Sequence, residues 1–93
     1  MDIRQMKLAL TVDLMNLPIS KNPLLNARRV MNQFKGEVGK YKGLLLDSNS
    51  LITKGFERKK VALQFENCTL DLDIVSGPQK NTQYIQGFDL KTN

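Results

Sequence analysis

The chain contains no histidine, no tryptophan and one cysteine among its 93 residues. Each absence closes a class of chemistry. Without imidazole there is no Ser-His-Asp or Cys-His nucleophile, no histidine general base and no His-ligated zinc site. A single cysteine makes neither an internal disulfide nor a thiolate metal cage, so Cys68 reads as a reduced thiol. Apolar runs are short, as in Leu44-Leu45-Leu46, far below the roughly 20 residues of a membrane span. The glycines at 36, 39 and 43 are followed by no Gly-Lys-Ser/Thr and match neither a P-loop nor a G-x-G-x-x-G turn. These absences point away from an enzyme and away from any metal, cofactor or membrane partner. The apolar stretch Leu8 to Val12 stops at Asp13, too short for the ~7–15 residues of a secretion-signal core, which sets a cytoplasmic expectation.

What is present is ordinary for a single folded domain over residues 1–93: 41% hydrophobic and 25% charged, but only 6% aromatic. Residues 6–15 alternate, with Met6, Leu8, Leu10, Val12 and Leu14 on one side, and predict a half-buried strand. Asn22-Pro23 then signals a helix start, because Asn accepts hydrogen bonds from free amides and Pro is pre-set for the first helical position. Leu24, Ala27, Met31, Phe34 and Val38 recur at spacings of 3 and 4, predicting an amphipathic helix over 23–38 with Leu25 as the one apolar misfit. Gly36 and Gly39 weaken it, so it ends between 36 and 41.

Beyond the helix the pattern turns to strands. Leu44-Leu45-Leu46 and Leu51-Ile52-Thr53 around Asp47-Ser48-Asn49-Ser50 suggest a short hairpin, and 54–58 a loop. Val61, Leu63 and Phe65, then Leu70, Leu72 and Ile74, alternate as a hairpin with an even loop around Asn67-Cys68. That loop pairs Phe65 with Leu70, Leu63 with Leu72 and Val61 with Ile74, because an odd loop would mix the faces. A turn over 76–82 leads to a last strand over 83–90, with Ile85 or Tyr84 inward depending on a bulge at Gly87. One helical face and one sheet face cover each other most economically as an α+β fold, one amphipathic helix packed on a small antiparallel sheet of four to five strands. A small OB-like β-barrel with an inserted helix is the alternative.

The charge is uneven. Residues 21–60 hold ten basic side chains against three acidic ones, a net of +7, and the flanks together carry −2. No acid occurs between Asp13 and Glu37. The predicted helix therefore has a polar face of Arg, Lys, Asn and Gln alone, whereas surface helices usually gain from mixed-sign i,i+4 pairs. Such a face suits phosphates, and Arg, Asn and Gln are also the side chains that reach base edges.

Two further features have plain explanations. Asp71 and Asp73 share one strand face at about 6.5–7 Å, a spacing compatible with carboxylate chemistry or a hard cation. The expected register sets Asp71 opposite Gln64, Asp73 opposite Ala62, and Lys60 diagonal to Asp73, so a cross-strand charge pair accounts for them. Cys68, at or beside the hairpin tip, has no neighbour that clearly lowers its pKa.

The leading expectation is a small basic accessory protein that binds DNA or RNA. Arg28, Arg29, Lys35, Lys40 and Lys42 would contact phosphates, Asn32 and Gln33 would brace bases, and Tyr41 would stack on one. The competing expectation is a small inhibitor or adaptor that docks its basic surface on an acidic protein. A protein interface would gather Phe56, Tyr41 or Tyr84 at its centre, while a nucleic-acid surface would keep such rings apart. A homodimer fits either, since an edge strand such as 83–90 can pair with its mate across a two-fold axis.

Overall fold

A computed structural model describes residues 3–15, 23–53, 55–77 and 83–92. Helix α1 spans Ile3–Leu10 and widens into one π-helical turn over Thr11–Met15; α2 spans Pro23–Asn32 and α3 Lys35–Val38. Four strands follow: β1 Tyr41–Thr53, β2 Phe56–Phe65, β3 Cys68–Ser76 and β4 Gln83–Thr92. They form one antiparallel sheet in the order β1-β2-β3-β4. The sheet is open, with β1 and β4 at its edges, so the α+β layer arrangement holds and the closed barrel does not.

The expected strand over 6–15 is a helix. Met6, Leu10 and Leu14 are buried, yet Leu8 is 64% exposed and Val12 51%. Only every second member of the alternating set faces the core, which is the i, i+4 stripe of a helix. Arg, Gln, Met, Lys, Leu and Ala dominate residues 4–10, and all favour helix. The Thr11 hydroxyl donates to the Lys7 carbonyl at 2.8 Å, a back-bond that helices accommodate by bending.

Helix α2 begins at the expected Pro23, while Asn22 lies outside the described residues. It stops at Asn32, and a tight turn at 33–34 separates it from α3, so the single helix over 23–38 is two. Ala27, Met31 and Val38 are buried as the stripe requires, Leu24 and Phe34 pack partly against the core, and Val30 joins them. Together with Met6, Leu10 and Leu14 they cover Leu63, Phe65, Leu70, Leu72, Ile74, Ile85 and Leu90 on one sheet face. Burying each such side chain contributes about 1.5–3 kcal/mol.

The sheet departs from expectation in two places. Residues 47–50 are not a turn: β1 runs through them, Ser48 pairing with Lys60, Asn49 with Lys59 and Ser50 with Arg58. The reversal lies between the end of β1 at Thr53 and the start of β2 at Phe56, where Gly55 takes φ 76°, a conformation glycine adopts without penalty. Phe56, Glu57 and Arg58 are accordingly strand, not loop. The polar run opposes another polar run, which is why an edge strand can hold it, and β1 absorbs the length mismatch in bulges at Lys42, Asp47 and Ile52.

In the β2–β3 hairpin the turn is Glu66-Asn67, so Leu63 pairs with Leu70 and Val61 with Leu72. The expected register is displaced by two residues. A two-residue shift keeps every side chain on its face, so hydrophobic alternation cannot distinguish the two. Cys68 is therefore beside the hairpin tip, as the fully buried first residue of β3. Strand β4 is as expected: the extra residue is Gln86, beside Gly87, and Ile85 turns inward while Tyr84 stays exposed. Among the described residues no helix is long and apolar enough to cross a membrane.

Candidate nucleic-acid interface

Residues 33–40 carry the chain from the helical layer into the sheet. The Phe34 carbonyl accepts from the amides of Glu37 and Val38 at 2.8 and 2.9 Å, and the Lys35 carbonyl accepts from Gly39 at 3.0 Å. The β2–β3 turn clamps this linker. Glu66 N–H donates to the Lys40 carbonyl and Asn67 N–H to the Val38 carbonyl, each at 3.0 Å. In return the Lys40 amide donates to Glu66 Oε1 at 2.7 Å, and the Asn67 side-chain amide donates to the Glu37 carbonyl at 2.8 Å.

This clamp sets a groove of about 600 Å³ between α2 and α3 on one side and the start of β1 on the other. Its floor is apolar, made by buried Met31, Val38 and Phe65. Exposed Arg28, Arg29, Asn32, Lys35 and Lys40 form its rim. Among the described residues no carboxylate lines it, and that of Glu66 lies at its edge, bound to the Lys40 amide. The ion pairs found among the described residues, Arg58–Asp73 and Lys91–Asp71, lie elsewhere, and neither engages a rim cation. The Arg28 guanidinium carbon sits over the Tyr41 ring, 4.1 Å from its centroid. Tyr41 in turn packs on Phe65, with centroids 5.4 Å apart and planes tilted by 57°.

Of the eight residues expected at the interface, Arg28, Arg29, Asn32, Lys35, Lys40 and Tyr41 line this one groove. Gln33 and Lys42 do not. The first follows the end of α2, which turns it out of the helical face. Lys42 is the extra residue of a bulge between Tyr41 and Gly43. Phe65 and Val38 went unassigned in the sequence because a helical or strand stripe reads as core packing. Leu25 also lines the groove, and its place off the apolar stripe was the one signal available.

The opposite sheet face carries mixed charge. A recess of about 320 Å³ there is bordered by Arg58, Lys60, Asp71, Asp73, Asp89 and Lys91. With the register displaced, Asp71 faces Ala62 and Asp73 faces Lys60 directly. The ion pair to Asp73 comes from Arg58: its Nε donates to both carboxylate oxygens, at 2.8 and 3.0 Å, and its Nη2 to one of them. That hydrogen bond and the carboxylate charge push the Arg58 pKa up against a smaller opposing effect of burial. Lys91 reaches Asp71 at 3.1 Å. Both carboxylates are thus neutralised by cations, and no cluster fit to hold a metal occurs among the described residues. Burial pushes the Cys68 thiol pKa up as well, which opposes thiolate reactivity.

Compared with known protein families, curated proteins and solved structures, the chain matches none.

Proposed function

We propose that this protein is a small accessory factor that binds DNA or RNA through the groove between α2, α3 and β1, acting by binding and not by catalysis. The observation that carries the reading is the rim itself: Arg28, Arg29, Lys35 and Lys40 converge on a groove whose lining, among the described residues, includes no carboxylate. Four cations around a concavity are arranged for a polyanion, and phosphates are the anions that Arg and Lys meet along a strand. The separation of the aromatic rings supports it too. Tyr41 lies in the groove, Phe56 at the far end of β2, about 30 Å along the strand from Phe65, and Tyr84 on β4. Tyr84 pairs with Val75, itself opposite Arg58, so it lies toward the Phe56 end of the sheet and Tyr41 stands apart from both.

Salt titration of oligonucleotide binding tests the proposal. Neutralising four phosphates gives a slope of log K against log salt of roughly −3 for single strands and roughly −3.6 for duplex. Reversing Arg29 and Lys35 together to Glu flattens that slope and weakens binding to all sequences alike. No binding to either form at about 50 mM salt, where electrostatic affinity is strong, would refute the reading and favour an acidic protein partner. Leu25 and Leu44, both exposed next to Arg28 in a smaller recess, would then be the apolar anchors of that contact.

A further inference from the structure

We infer that the groove takes a single strand in preference to a duplex, seating one unstacked base against the Arg28 guanidinium while the rim holds the adjoining phosphates. The inference rests on the nucleic-acid reading above and concerns the form of the ligand.

Three observations lead to it. The first is concavity. A helix that reads a duplex must protrude into the major groove, but the Arg28, Asn32 and Lys35 side of α2 and α3 is one wall of a recess whose other wall is Lys40 and Tyr41. A duplex laid on the rim would bridge that recess and leave its floor unused.

The second is the floor. At about 600 Å³ the recess falls within the roughly 300–1,000 Å³ of sites that enclose small ligands. Met31, Val38 and Phe65, each at most 6% exposed, close its base, and exposed Leu25 and Tyr41 add accessible apolar surface on its walls. In a duplex the base faces are stacked inside, so only an unpaired nucleotide has an apolar face to offer such a floor.

Stacking geometry is the third. Tyr41 was expected to stack directly on a base, but Arg28 lies over its ring at 4.1 Å and Phe65 packs against it at 5.4 Å. The surface left for a base is the outer side of the exposed guanidinium, with Tyr41 supporting it from beneath. Guanidinium planes serve as stacking partners for splayed bases, as aromatic rings do. Asn32, on the same rim, supplies an amide able to pair with the base's hydrogen-bonding edge.

Fluorescence anisotropy with a labelled oligothymidylate and a duplex of equal length, at one fixed salt concentration, tests this. The single strand should bind at least about tenfold more tightly. Arg28→Lys keeps the charge and removes the flat plane, so it should weaken the single strand about five- to a hundredfold, the range of one lost base stack. The duplex, sensing charge alone, should change less than about twofold. Because Arg28 is exposed, an unaltered circular dichroism spectrum will show that the variant is folded. Equal or tighter binding of the duplex, or an equal loss on both forms, would overturn the inference and leave nucleic-acid binding intact. Absence of binding to both forms would instead overturn the reading on which it rests.

Discussion

Glu66 occupies the space that a side chain on Gly39 would need: a Cβ on Gly39 would lie 2.7 Å from the Cβ of Glu66 and 3.0 Å from its Oε1. The residue also takes φ 81° and ψ −162°, a region that is essentially reserved for glycine. Contact and backbone act at one point, the joint between α3 and β1 that the Glu66-Asn67 turn clamps. Replacing Gly39 by Ala should lower stability by about 1–3 kcal/mol, read from urea unfolding. The groove should loosen with it, so oligonucleotide affinity should fall even under conditions where the variant stays folded. Gly36 is the control, because nothing lies within 4 Å of where its Cβ would be.

The helical state of residues 3–10 is testable by two neighbouring leucines. Leu10 is fully buried and Leu8 is 64% exposed. Leu10→Ala should cost about 2–5 kcal/mol, the range for core truncations, and Leu8→Ala about 0.5 kcal/mol or less. Equal losses at both positions would restore the strand reading, in which the two share a face.

The two-residue displacement of the β2–β3 register makes its own prediction. Asp73 is held by Arg58 through a fork of hydrogen bonds, although Lys60 stands directly opposite it. Double-mutant cycles should therefore find a larger coupling between Arg58 and Asp73 than between Lys60 and Asp73. Exchanging the charges, Arg58→Asp with Asp73→Arg, should recover part of the melting temperature lost in Asp73→Arg alone.

Stability should also depend on pH through Cys68. Its pKa is raised by burial in the folded state, so the fold favours the neutral thiol. The corresponding stabilisation is complete below the ordinary thiol value of about 8.5 and is lost as pH rises through the folded-state value. Unfolding free energy should therefore decline on the alkaline side of about pH 8.5, and Cys68→Ala should remove that part of the decline. Alkylation of the thiol should be much slower in the native protein than in urea.

Much of this molecule was settled locally, and so was legible in the sequence. Pro23 starts α2 because the missing amide and preset φ act at that residue whatever surrounds it. Alternation in 61–65 and 70–74 assigns faces because side chains on a strand point to opposite sides in turn, and the bulge beside Gly87 follows from the same pattern. The cluster of cations from Lys21 to Lys60 is likewise a property of the chain alone. Tertiary structure decided the rest. In residues 6–14 the periods 2 and 3.6 both select every fourth position, and only packing against the sheet showed that Met6, Leu10 and Leu14, without Leu8 and Val12, face the core. The polar stretch 47–50 has turn chemistry, but pairing with Arg58, Lys59 and Lys60 on β2 held it extended. The groove owes its floor to Phe65, more than thirty residues beyond Met31, and its shape to a hairpin turn that clamps residues 38–40. Contacts across that separation arise from how the layers close on one another, which is why the charges could be read from the order of residues and their convergence could not.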